Sequence, residues 1–550
     1  MTTSSYLWWQ TGVIYQVYPR SFKDTTGSGV GDLWGVVEEL DYLDQTLPVD
    51  AIWLSPFYPS PMADFGYDVA DYTDVDPLFG DLEVFDELVE RAHQRSIGVI
   101  VDLVPNHTSD RHPWFIESRS SRESLKRDWY IWAEPQLDGS PPNNWISVFG
   151  GSAWEWDEFT EQYYLHSFLK EQPDLNWRNP EVKKAMFDVV RFWLERGVDG
   201  FRVDVAHYIM KDPHFRDNPV DPERGRSIHR PMGDYDSQFH IHDSGHSDVH
   251  DIYREFRQVL DSYSDERPRV SIGEVHIFDW EEWVRYYGEN LDELHMPFNF
   301  TLLNVPWDAR AVRDAVDSLE AALPDGAWPN YVLGNHDESR LATRYGREAA
   351  RVAAMLLLTL RGTPTLYYGD ELGMTDVDIP ADRQQDPWIL DTAKMGRDPC
   401  RTPMQWSPKP NAGFAPPHVD QLWLPLAEDY ETVNVQVQLK NPTSLLQLYR
   451  RLLTYRRRKP VLQRGAYRAL DGVPPACFVY VRTDVGPSSD GWERLLVALN
   501  FSSQAQRICV DSWGAGSLSL STHLDRQGPV DLGDLTLRPH EGIIVEVSDR

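Results

Sequence analysis

Cysteine is scarce. Cys400, Cys477 and Cys509 are the only three in 550 residues, far apart and without C-x-x-C spacing. This excludes a disulfide framework and a thiolate zinc site, and fits a reducing compartment. Basic residues are also in short supply, with 53 Lys and Arg against 86 Asp and Glu and a formal net charge of −33. Such an excess of negative charge excludes a partner held through its phosphate backbone, so no nucleic acid is expected. No apolar run reaches the roughly 18 residues a membrane span requires, and the opening MTTSSYLWWQTG lacks a basic stretch leading into an apolar one. The expectation is a soluble cytoplasmic protein without a membrane partner. An apolar content of 41% with 21 tryptophans, in a chain this long, calls for more than one domain with one large core.

That large unit is visible as an alternation. VIYQVYP (13–19), AIWLSPFY (51–58) and GVIVDLVPN (98–106) read as strands, separated by helical patterns such as DLWGVVEELDYLDQ, with apolar residues at 33, 36, 37 and 40. A Trp-, Pro- and Gly-rich stretch then interrupts, too long for a simple connection. The alternation resumes with PEVKKAMFDVVRFWLERG, whose residues 182, 185, 186, 189, 190, 193 and 194 share one helical stripe. Strands follow at GVDGFRVDVA, RVSIGEV (269–275), LHMPFNF (294–300), NYVLGNHD (330–337) and GTPTLYYGD (362–370), completing eight. Eight βα units predict an α/β fold, a (β/α)8 barrel formed by residues 1–106 and 176–465, with an inserted domain at 107–175. Runs such as CFVYVRT, RLLVALNF and GIIVEVS predict a C-terminal antiparallel β-sandwich domain at 466–550.

DGFRVDVAH (199–207) poses a question within this frame, because Arg202 and Asp204 alternate with Phe201, Val203 and Val205 in a strand that helices cover. In such a barrel, polar groups at the C-terminal strand ends serve chemistry. Asp102, Arg202 with Asp204, Glu274, and His336 with Asp337 all fall at such ends. Four carboxylates on one rim repel one another, so at least one is expected to stay protonated near neutrality.

Four segments, DLVPNHTS (102–109), GFRVDVAH (200–207), IGEVHIF (272–278) and LGNHDESR (333–340), resemble the α-amylase superfamily of glycoside hydrolases, in particular its α-glucosidase and oligo-1,6-glucosidase branch. FGYDVADY (65–72), QPDLNW (172–177) and GRDPCRTPMQW (396–406) extend the likeness over nearly the whole chain. The resemblance implies that Asp204 is the nucleophile, Glu274 the general acid/base and Asp337 the carboxylate stabilising the transition state of a retaining exo-acting α-glucosidase. On that reading Arg202 keeps Asp204 ionised while Glu274 holds its proton near neutral pH. His107 and His336 bind sugar hydroxyls, Tyr67 is a stacking platform, and Asp64 with Arg401 closes the glucose subsite. Val205 is associated in this branch with acceptance of α-1,6 links. Alternatives are a transglycosylase or isomerase, such as a trehalose or isomaltulose synthase, and a non-catalytic barrel used as a binding scaffold. No cofactor is required. The loop Asp24, Thr26, Ser28, Val30, Asp32 matches a calcium-binding loop of relatives, with Thr and Ser where they carry Asn and Asp. HIHDSGH (240–246) reads as a loop over the active-site mouth rather than a metal site.

Overall fold

The computed structural model describes residues 6–222, 232–265, 267–388, 396–484, 493–510 and 514–547; the first five residues of the opening segment discussed above lie outside that set. In chain order the strands are β1 (Ile14–Val17), β2 (Ala51–Leu54), β3 (Gly98–Leu103), β4 (Trp132–Ala133), β5 (Trp154–Asp157), β6 (Gln162–Leu165), β7 (Gly200–Val203), β8 (Val270–Gly273), β9 (Met296–Pro297), β10 (Asn330–Val332) and β11 (Thr363–Tyr367). Eight of them pair in the order β10-β11-β1-β2-β3-β7-β8-β9, every ladder parallel, and a bridge from Asn299 to Tyr331 joins the two edges into a closed barrel. The interrupting segment carries its own antiparallel sheet, β4-β6-β5.

Strand parity sorts the side chains. Ile14, Trp53, Ile100, Val270, Ile272, Met296 and Val332 form a core inside the barrel, while Tyr15, Ile52, Val99, Val101, Phe201 and Val203 join the larger core beneath the surrounding helices. The helix Pro180–Glu195 shows how the sequence sets those helices. Asn179 caps Glu181 N–H, Pro180 opens the first turn, and Gly197 at φ 93° follows the last. Its buried Val182, Met186, Val190 and Trp193 lie on one stripe.

The strands are shorter than the apolar runs. LHMPFNF yields only Met296–Pro297 because its neighbour β8 ends at Gly273, whose carbonyl accepts Phe298 N–H at 2.7 Å as the last bond. Asp204 and Glu274 lie one residue past the last ladder positions, Val203 and Gly273. The C-terminal region is a six-stranded sheet facing a two-stranded one, sharing a core of Val479, Leu496, Ile508, Leu537 and Val545. Among the described residues no helix is long and apolar enough to cross a membrane.

Candidate active site

Register creates the centre of the site. Asp102 on β3 pairs directly with Arg202 on β7, both on the inward face. Arg202, only 2% exposed, places Nη1 at 2.8 Å from Asp102 Oδ1 and 2.6 Å from Asp204 Oδ1, and Nη2 at 2.5 Å from Glu274 Oε2. One guanidinium therefore joins carboxylates from three strands, which is what the charged side of GFRVDVAH does. Immediately after Asp204 the chain turns through Val205 at φ 35°, a left-handed conformation that is costly for a β-branched residue. The turn points Val205 N–H at Glu274 Oε2, 3.0 Å away, so backbone strain is exchanged for a fixed carboxylate.

Three carboxylates around one cation cannot all ionise without cost. Burial, reinforced by Glu274 and the Asp102 anion and opposed by Arg202, pushes Asp204 well above the ordinary carboxylate value. Burial likewise raises Asp102 to about 6 against the pull of Arg202. For Glu274 burial also acts upward, but Arg202 and His276 outweigh it and hold the group below the usual range. These directions run opposite to the expectation drawn from the sequence, and they follow the contacts: Glu274 meets Arg202, Val205 N–H and His276, whereas Asp204 accepts from Arg202.

The inner end of the site is built from neutral rings. His336 lies between Tyr67 (centroids 5.4 Å apart, planes 3° apart) and Tyr18 (5.8 Å, 18°). Its Nε2 is 2.7 Å from Tyr67 Oη and its Nδ1 2.8 Å from Gln16 Nε2. Burial lowers His336 to about 3 and His107 to about 4, so both are uncharged hydrogen-bonding groups near neutral pH. His107 Nε2 meets Gln172 Nε2 at 3.0 Å, and Gln172 also reaches Asp64 Oδ2 at 3.3 Å.

The pairing expected to close this end is different. Arg397, not Arg401, bonds Asp64, at 2.6 Å, and it also holds Asp386 at 2.9 Å. Arg401 is fully buried and instead bonds Asp337 Oδ1 at 2.8 Å and the His336 carbonyl at 2.7 Å. The two arginines flank the tight turn Asp398–Cys400, which sends one into the cleft and the other behind it. Burial acts upward on Asp337, but His336, Arg401 and Arg397 prevail and keep it ionised far below the usual range.

These groups line a cleft of about 800 Å³ that contains Asp64, Tyr67, His107, Asp204, Glu274, His336, Asp337 and Arg397. Its mouth includes His240 and Ile241 of HIHDSGH and the partly exposed Phe239 and Phe278. The three histidines of that run diverge. His240 bonds Asp243 at 2.7 Å, His242 lies 3.8 Å from Asp212, and His246 lies 3.5 Å from Asp248. Sequence reasoning missed Arg397, Gln172 and His276. Arg397 stood four residues from the arginine that was chosen, and the only signal for His276 was its place two residues after Glu274.

The loop of the calcium reading presents a poor donor set. Asp24 Oδ1 accepts the N–H groups of Thr26 (3.0 Å), Gly27 (2.7 Å) and Ser28 (3.3 Å), and Oδ2 accepts that of Gly29 (2.8 Å). Thr26 Oγ1 donates to Asp24 at 3.1 Å, and Val30 carbonyl accepts from Ser28 Oγ at 3.1 Å. Asp32 accepts from Thr25 N–H at 2.7 Å and caps the helix Leu33–Glu38 through Gly35 N–H at 2.8 Å. The loop offers calcium two carboxylates, two hydroxyls and one carbonyl, fewer anionic oxygens than the ion prefers, and the carboxylates are also engaged by N–H donors. Among the described residues no group of three or more His, Cys, Asp or Glu could hold a metal ion.

Comparison with known proteins bears on the same residues. The family model of the alpha-amylase catalytic domain matches residues 16–465. The chain belongs to the alpha-amylase family. It is 44% identical over 484 residues to a probable alpha-glucosidase of Rhizobium meliloti (strain 1021), covering 84% of this chain and 86% of that one. It is 39% identical over 536 residues to an oligo-1,6-glucosidase of Heyndrickxia coagulans, covering 90% and 92%. Among solved structures an alpha-glucosyl transfer enzyme matches with a TM-score of 0.91 at 40% identity, covering 99% and 100%. The protein is a glycoside hydrolase of the alpha-amylase family, and its catalytic-domain match spans all the cleft groups described above.

Proposed function

We propose that the protein is a retaining, exo-acting α-glucosidase that releases glucose from the non-reducing end of short α-glucosides. The observation that carries this reading is the single guanidinium bridging Asp204 and Glu274. Sharing one cation supports the short separation of about 5 to 5.5 Å that a nucleophile and an acid need, rather than the wider gap that admits a water between them. Asp204 attacks the anomeric carbon while Glu274 protonates the departing oxygen, and Glu274 then removes a proton from the water that releases glucose. Arg202 touches both groups and holds them beside one another. Asp337, held ionised by Arg401, faces the positive charge that develops on the sugar ring.

Exo action is supported by Asp64 and Arg397, a hydrogen-bonded pair at the end of the cleft placed to bind the outer hydroxyls of a terminal glucose. Val205 and the likeness to an oligo-1,6-glucosidase favour acceptance of α-1,6 links. The test is incubation with maltose, isomaltose, trehalose and sucrose, with the products resolved. Glucose is expected from isomaltose and maltose. Rearranged disaccharides as main products, no turnover of isomaltose, or internal oligosaccharides from long maltodextrins would each overturn part of the assignment.

The acid has its own signature. Glu274→Gln keeps the shape but loses the proton, so turnover of maltose is expected to fall about 10³-fold, and that of an aryl glucoside with a good leaving group by much less. Equal losses on both would remove Glu274 from the role. A second reading, glucosyl transfer to another alcohol, is favoured by the exposed Phe239, Ile241 and Phe278 at the mouth, apolar groups that hold an acceptor better than they hold water. Its mark is a transfer product that grows with acceptor concentration at the expense of free glucose.

A further inference from the structure

The two oxygens of Glu274 have different surroundings. Oε2 is enclosed by Arg202 Nη2 at 2.5 Å and Val205 N–H at 3.0 Å. Oε1 meets His276 Nε2 at 2.9 Å. An oxygen held by a guanidinium and an amide donor carries the negative charge, so the oxygen able to hold a proton and pass it to a leaving group is Oε1. That is the oxygen His276 covers. It does so from the cleft, with its side chain 43% exposed and its ring stacked on Phe300 at 4.5 Å and 6°. The imidazole thus occupies the place a glycosidic oxygen must take.

We propose that His276 is a positioning residue that caps the acid oxygen of Glu274 in the unliganded protein and is displaced from it by the leaving oxygen of the substrate. The proposal rests on the reading of Glu274 as the acid. While the cap is on, Nε2–H donates to Oε1 and favours the anion; once it is off, that donor is lost and the protonated form gains. Substrate entry thereby converts a resting carboxylate into an acid at the moment it is needed. The other charged or titratable groups facing Glu274 are Arg202 and Asp204 at the end of β7, His207 and Tyr208 in the loop that follows, Asp102 on β3, and His336 and Asp337 beyond β10. All of them remain in place when His276 is replaced.

The test is a pair of pH–rate profiles on maltose or isomaltose for the wild type, His276→Ala and His276→Gln. The profile of kcat/KM reports the free protein, where the cap is on, and that of kcat reports the complex, where it is off. Loss of one donor to a charged oxygen is expected to move the alkaline limb of kcat/KM upward by about one pH unit in His276→Ala. The alkaline limb of kcat is expected to stay in place. His276→Gln, which retains an N–H donor, is expected to bring the kcat/KM limb back toward the wild type. Movement of both limbs together, or of neither, would overturn the proposal. Failure of the underlying reading is seen separately, as equal losses in Glu274→Gln on maltose and on an activated aryl glucoside.

Discussion

Replacing Asp204 with Asn is expected to lower kcat on every α-glucoside by about 10⁴-fold or more, because it removes the attacking oxygen while leaving shape and packing unchanged. The same change is not expected to harm the fold. Asp204 is 6% exposed and crowded by Glu274 and Asp102, and these with burial raise its pKa in the folded protein. A carboxyl whose folded pKa lies above its unfolded value favours the folded state while protonated, and that contribution is lost as pH rises through the folded value. At pH 7 to 8 the variant, which has nothing to ionise, is therefore expected to melt at or above the wild-type temperature, with the advantage fading toward pH 4. Residual activity above about 1% of wild type, or a clear loss of thermal stability at pH 8, would contradict this account. Either result would mean that Asp204 serves the structure rather than the reaction.

Arg202 is the converse case. Methionine at this position would leave Asp102, Asp204 and Glu274 buried together without their cation, and removal of one partner from a buried ionic cluster costs about 3 to 5 kcal/mol. Lysine is expected to recover little, since a single ammonium cannot reach three carboxylates arranged around a planar fork. The loss has a pH signature with a definite sign. Without Arg202 the folded-state values of Asp102 and Asp204 rise further and that of Glu274 loses its main downward pull, so destabilisation is greatest above about pH 6, where Asp102 already titrates, and shrinks as acid neutralises them. Thermal melts of Arg202→Met and wild type from pH 5 to 8 check this. A gap that does not change with pH, or one below about 1 kcal/mol, would show that the cluster is not held by charge.

Much of this architecture could be read before any coordinates. Alternating apolar runs and helical stripes carry the barrel, because a strand covered by helices on one side and by barrel interior on the other must be apolar at both parities except where it reaches the rim. Arg202 and Asp204 broke that rule, and the break marked the site. What sequence reasoning misjudged were matters of direction. GRDPCR carries two arginines, and whether position 397 or 401 faces Asp64 depends on the turn Asp398–Cys400 between them. Strand lengths were overestimated because an apolar run records burial, not hydrogen bonding, and the ladder between β8 and β9 stops where β8 ends, inside a buried run.

Ionisation was the least legible property. The residue types alone established that several carboxylates meet an arginine at the strand ends, and like charges in a small space require that one of them keep a proton. The direction in which each is pushed was decided by tertiary contacts between segments distant along the chain. These are the register that sets Asp102 beside Arg202, the strained turn that aims Val205 N–H at Glu274, and the ring of His276 lying over its second oxygen. Sequence determines the number and kind of charges because these are properties of residue type and local pattern. The fold decides which carboxyl is pushed up and which down, because an electrostatic energy depends on distances and donor directions that exist only once the barrel has closed.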